Sequence, residues 1–136
     1  VELFNWFARN RCGFVDRSAQ LIKARERIGS FDRKLSFSVD NGYALLRSSM
    51  GCIRYCEILA KTKKAYRQLI KLAEAKASRA IVAIHPFDPK AVEVFRACGY
   101  SDDPGSYDIL MVKSLDGTRF EDLYDDSFMI SKIDWF

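Results

Sequence analysis

Hydrophobic and polar positions along this chain change period several times, and each change marks an element. Leu3, Phe4, Phe7 and Ala8 fall at i, i+1, i+4 and i+5, which predicts a short amphipathic helix over 2–10. A second helix is expected over 17–28, with Asp16 as its cap and Gly29 as its stop. Its polar face carries Lys23, Arg25, Glu26 and Arg27 and reads as a solvated surface. The period then drops to two. Leu35, Phe37 and Val39 alternate with Ser36, Ser38 and Asp40, as on a strand with one covered face. Asn41-Gly42 is a strong hairpin signal, and 43–49 returns as the partner strand. Gly51 marks another reversal before a third strand over 52–59. Residues 34–59 therefore read as an antiparallel meander.

Helical spacing resumes over 62–77, with an apolar stripe at Ala65, Leu69, Leu72, Ala73 and Ala77 opposite a face of Lys and Arg. The run Ala80-Ile81-Val82-Ala83-Ile84 has no polar alternation and reads as a strand covered on both faces. His85-Pro86 ends it. Asp88-Pro89 opens a helix in the expected way, Ala91, Val94, Phe95 and Cys98 form its inner stripe, and Gly99 stops it. Asp103-Pro104-Gly105 is a turn before a strand over 107–113. Beyond Gly117 come Glu121, Asp122, Asp125 and Asp126, and an apolar segment over 128–136 reads as a further strand. No repeat or linker divides the chain, so one domain is expected over 1–136. It comprises a helical part (1–30), the meander (34–59), a helix-strand-helix-strand unit (61–115) and a C-terminal extension (116–136). This order predicts an α/β or α+β fold, with a mixed, mostly antiparallel sheet flanked by helices.

Composition narrows the function classes. With 136 residues, 49% hydrophobic and 29% charged, the chain suits one globular core. A net charge of +4 permits an anionic partner, but no nucleic-acid recognition motif accompanies it, so nucleic acid is disfavoured. No apolar run nears the roughly 20 residues of a membrane span, and no signal-peptide pattern follows Val1. A cytoplasmic protein with no membrane partner is the expectation. Cys12, Cys52, Cys56 and Cys98 form no CxxC pair and read as buried free thiols. One histidine and no Cys–His spacing leave no expected metal site.

Charge placement is more informative than its sum. Lys61, Lys63, Lys64 and Arg67 crowd the opening of the third helix. A helix N-terminus already carries partial positive charge, so cations there are unfavourable unless an anion arrives. The cluster admits three uses: a phosphate site, a protein or nucleic-acid contact, or a solvated face. Tyr66 could stack on a base or pack inward. Asp88 reads as a helix cap, and Cys56 has no histidine near in sequence to activate it. Glu57 shares a strand face with Tyr55 and Leu59 and is expected to be partly buried; the alternative is a carboxylate on the solvent face. His85 titrates in the range of proton transfer, or simply bonds backbone at the strand end.

Asp88, Ala91, Phe95, Gly99 and Tyr100 fall at the spacings of the motif N-x-x-A-x-x-x-Y-x-x-x-G-F. With the order of elements over 34–115, this resembles the GNAT superfamily of N-acetyltransferases. The resemblance implies acetyl-CoA or another acyl-CoA as cofactor, and an amine acceptor that attacks the thioester directly. It implies Glu57 and His85 as catalytic bases. Leu59, Lys61, Lys63, Lys64, Tyr66 and Arg67 would be cofactor-binding, with the pyrophosphate at the helix opening and a cleft where the strands 52–59 and 80–85 part. Four positions depart from the pattern. Lys64 and Tyr66 stand where the family's R/Q-x-x-G-x-G/A loop has small residues, so lysine side chains would replace backbone N–H groups on phosphate. Phe95 replaces a tyrosine and has no proton for a departing thiolate. Asp88 replaces an asparagine. Two functions follow: an N-acyltransferase with impaired catalysis, or a non-catalytic structural or interaction protein of the same fold with a protein partner or an oligomer. Lys61, Lys63, Lys64, Tyr66, Arg67, Leu69 and Ile70 also resemble the helix opening of acetyltransferase-like internal virion proteins of short-tailed phages, which implies a virion location for the second reading.

Overall fold

The alternation beginning near Leu35 belongs to a four-stranded sheet with strand order β1-β2-β3-β4. It is seen in a computed structural model, which describes residues 1–9, 17–49, 52–76, 80–82 and 88–101, with backbone alone at 49 and 80–82. The elements are α1 (Glu2–Ala8), α2 (Ala19–Arg27), β1 (Asp32–Val39), β2 (Gly42–Ser49), β3 (Cys52–Ala60), α3 (Lys63–Glu74), β4 (Ala80–Val82) and α4 (Pro89–Ala97). β1, β2 and β3 form the expected antiparallel meander, and β4 joins β3 in parallel. The fold is α+β with a mixed sheet, as the order of elements predicts. The expected strands over 107–113 and 128–136, the acidic tail, Cys12, Asp16, Gly51 and His85 lie outside the described residues.

Local chemistry sets the helix bounds. Ser18, not Asp16, caps α2, its Oγ accepting the Leu21 N–H. Thr62 does the same for α3 through Ala65, and Asp88 for α4 through Lys90 and Ala91. α4 closes through Gly99 at φ +88: the Gly99 and Tyr100 N–H groups donate to Arg96 and Phe95, and the Phe95 and Tyr100 rings meet edge to face at 4.9 Å. The first hairpin has a subtler logic. Asp40 and Asn41 form its loop, and Asn41 takes the left-handed conformation at φ 63. Gly42 is already in β2, and its role is space. A Cβ there would lie 2.9 Å from the Leu69 side chain and 3.0 Å from Ala60.

The inner stripe of α3 is Ala65, Tyr66, Leu69, Ile70 and Ala73. Leu72, expected on that stripe, is 42% exposed. At about 100° per residue it lies roughly 90° from the stripe's centre, on the flank of the helix. α3 and α4 cover one sheet face, formed by Ala44, Leu46, Ile53, Tyr55, Ile58 and Ala60. α1 covers part of the other, where Phe4 and Phe7 pack on Leu59 and Tyr43.

A one-residue bulge in β3 divides these faces. Leu45 pairs with Glu57, but the next residue, Leu46, pairs with Tyr55, so Cys56 is the extra residue of the bulge. Ile53 and Tyr55 face α3 and α4 before the bulge, and Ile58 and Ala60 do so after it. Glu57 and Leu59 therefore face α1. This corrects the expectation that Tyr55 shares their face: Tyr55 packs edge to face on Phe95, 5.6 Å away, on the opposite side.

Candidate functional site

Two clusters meet at the end of the sheet where β3 runs into α3. The first is the opening of α3. The Lys61 N–H donates to the Asn41 carbonyl at 2.8 Å, which ties the hairpin tip to this turn. Thr62 satisfies Ala65, while the amides of Lys63 and Lys64 have no partner among the described residues. Lys61, Lys63, Lys64 and Arg67 are all exposed. Lys61 Nζ lies 4.9 Å from the centre of the half-exposed Trp6 ring, a cation–π contact that draws α1 to the site. Lys63 Nζ meets Glu93 of α4 at 2.6 Å, a solvent-screened pair. The four cations are thus not equivalent, and Lys64 and Arg67 carry no ion pair among the described residues.

Tyr66 and Leu59 behave differently from their lysine neighbours. Tyr66 is fully buried, and its hydroxyl donates to Asp88 Oδ2 across the α3–α4 contact. Asp88 uses Oδ1 to cap α4, so one carboxylate joins two helix openings. Tyr66 therefore packs inward, and Asp88 is the cap that the sequence suggests. Leu59 is buried beneath Phe4 and Phe7. Of the six expected cofactor residues, the four cations reach solvent, while Tyr66 and Leu59 are buried on opposite faces of the sheet.

The second cluster is centred on Glu57, which is 4% exposed. Arg17, equally buried, donates from Nη1 and Nη2 to its two oxygens at 2.6 and 2.7 Å. The Tyr43 hydroxyl donates to Oε1 as well. The guanidinium carbon lies 3.4 Å from the centre of the Phe4 ring, and Asn5 holds the Arg17 backbone through its N–H and carbonyl. A bidentate fork of this kind neutralises a buried carboxylate that would otherwise be costly. Chemically, the arrangement anchors a guanidinium strongly. To accept a proton from an amine, Glu57 would first have to release Arg17. Sequence reasoning missed Arg17 and Tyr43. A signal existed for Arg17: a cation just before a helix cap is unfavourable without an anion, the same argument that singled out Lys61.

The other expected base, His85, lies outside the described residues, as does all of 83–87, where the cleft is expected. The described β3–β4 pairing runs from Ile53–Ala80 to Tyr55–Val82 and so reaches the residue before the bulge. Phe95 is fully buried between Tyr55 and Tyr100. Burial pushes the Tyr55 phenol well above its ordinary range, helped by the nearby Tyr100, and Tyr100 is raised by burial too. The two hydroxyls lie close enough to act on one another, but neither makes a hydrogen bond of good geometry among the described residues. Among those residues, too, no helix is long and apolar enough to cross a membrane.

No family model matches this chain, and no curated protein matches it. Two solved structures do. The crystal structure of a mutant of TTHA1254 from Thermus thermophilus is similar in fold, with a TM-score of 0.53 at 16% identity over 82% of this chain and 94% of that one. Wild-type TTHA1254 matches at 19% identity over 62% of this chain and 71% of that one, with a TM-score of 0.42. At these identities the likeness is one of fold.

Proposed function

We propose that this protein is a GNAT-like acyl-CoA-binding domain, with the opening of α3 as its phosphate site and Glu57 beside the acceptor position. One observation carries the reading. Two helix-opening amides without a partner among the described residues share the turn after β3 and the first turns of α3 with the exposed Lys61, Lys64 and Arg67, a concentration of positive charge that suits a pyrophosphate. The backbone cradle of the family is replaced here by flexible lysines, so binding depends on point charges and weakens with salt. Calorimetry with acetyl-CoA tests this directly. A saturable heat that disappears in a Lys61→Ala/Lys64→Ala variant supports it; no heat at millimolar ligand ends it.

A second reading has its own observation. Both Glu57 oxygens are held by Arg17, and Phe95 has no proton to offer a thiolate. This favours a non-catalytic relative that keeps the fold as an interaction module, including the virion-associated form. Acetyl-CoA binding without transfer to any amine, in the native chain and in Arg17→Ala alike, would select it.

A further inference from the structure

A cleft of about 670 Å³ opens away from α3, between the end of α2 and the β1–β2 ladder. Arg33, Lys34 and Arg47 line it, together with Glu26 and Asp32. Asp32 is committed locally: its Oδ1 accepts the Lys34 N–H at 2.8 Å. It keeps its charge, so with Glu26 on the α2 side the lining carries two carboxylates against three cations. Arg47 is the unusual member. It is half-buried, and its Nε is fully buried without a hydrogen-bond partner among the described residues. Its direct neighbour across the ladder is Arg54, so two guanidinium side chains stand on the same sheet face at one rung. Like charges directly opposite one another are destabilising, and a buried donor without an acceptor costs free energy. Neither arginine has an ion pair among the described residues. Nothing in the sequence hints at this cluster, because Arg47 and Arg54 are brought together only by the hairpin register.

We propose that this cleft is a second anion site, which takes the phosphate group of a small phosphorylated molecule. The volume lies in the range of small-molecule pockets. Arg47 supplies a forked donor whose geometry fits phosphate oxygens, and Arg33 and Lys34 offset the two carboxylates of the lining and leave an excess of positive charge. Glu26 limits the excess of positive charge, so the site is selective for a compact anion over a long polyanion.

The site is independent of the α3 opening, and the test separates the two. The Arg47 Nε–Hε signal is followed by ¹H–¹⁵N NMR during titration with inorganic phosphate, with sodium acetate at matched ionic strength as the control. The signal is assigned by its loss in Arg47→Lys. A saturable shift with phosphate, absent with acetate and preserved in Lys61→Ala/Lys64→Ala, is the expected result. The stabilisation by phosphate in thermal unfolding should be about tenfold weaker in apparent affinity for Arg47→Lys, as for loss of one charge-assisted contact. Should that variant not fold, Arg33→Gln at its exposed position must weaken the same response. An Arg47 signal that does not move, or moves equally with acetate, overturns the proposal, as does a response abolished by the Lys61/Lys64 substitutions.

Discussion

At single side chains, the Arg17–Glu57 pair has the largest consequence. It is buried, bidentate and joined by Tyr43, so removing one partner leaves a charge inside the protein. Arg17→Met should cost about 3–5 kcal/mol, read as a lower urea midpoint, while the Arg17→Met/Glu57→Leu double variant recovers much of the loss. Tyr55 points the other way. Its hydroxyl is buried without a partner among the described residues, so Tyr55→Phe should be neutral or stabilising by about 1 kcal/mol. Because its folded pKa lies above the unfolded value, the folded state keeps the phenol proton longer. The stability this contributes is complete below about pH 10 and falls as pH rises above it. The fall in urea midpoint from pH 8 to above pH 10 should be smaller for Tyr55→Phe than for the native chain, the remainder coming from Tyr100. The pairing itself was not legible in the sequence: Glu57 stood out, and Arg17 carried a charge signal at its helix cap, but Glu57's contacts come from residues 14 and 40 positions away, which no local pattern links.

Periodicity did reveal the elements themselves. Alternation around Leu35, Phe37 and Val39, the Asn41-Gly42 signal and the Asp88-Pro89 opening all correspond to what forms. What it missed was a single residue of excess. Strict alternation from Tyr55 puts Glu57 and Leu59 on the same face as Tyr55, and only the pairing with β2 reveals the bulge at Cys56. The α3 stripe held at Ala65, Leu69 and Ala73 but erred at its edges, because Tyr66 is amphipathic and Leu72 is not, yet packing buries the former. At Gly42 the hairpin signal was right for a different reason. The chain needs left-handed backbone at Asn41 and an absent Cβ at Gly42. Gly42→Ala should therefore destabilise by about 1–3 kcal/mol through overpacking against Leu69, measured by thermal or urea unfolding. Leu69→Ala in the same background should relieve part of that clash.

For the molecule as a whole, the sheet acts as a partition. One face and its helices α3 and α4 make the main core; the other holds α1, the Arg17 ion pair and, farther along, the Arg47 cleft. The net charge of +4 is modest because Asp and Glu offset most of it, so its sum concealed two separate positive regions. α2 illustrates what composition cannot reveal. It is capped at Ser18 and closed by Gly29 at φ +76, yet it has no buried residue. Its helix signals were legible because they are local; its slight packing was not, because packing depends on the face it meets.

Cys56 can be removed without disturbing which rung meets which. Excising it would leave Tyr55 opposite Leu46 and Glu57 opposite Leu45, with every later side chain on its present face. The alternation of faces is thus compatible with a shorter strand, so the register alone does not require the extra residue. A chain lacking Cys56 should fold with its β2–β3 amides equally protected from hydrogen exchange, but with less local twist in β3 beside the end of β4. If acetyl-CoA affinity then falls while thermal stability holds or rises, that distortion is retained by selection for a ligand.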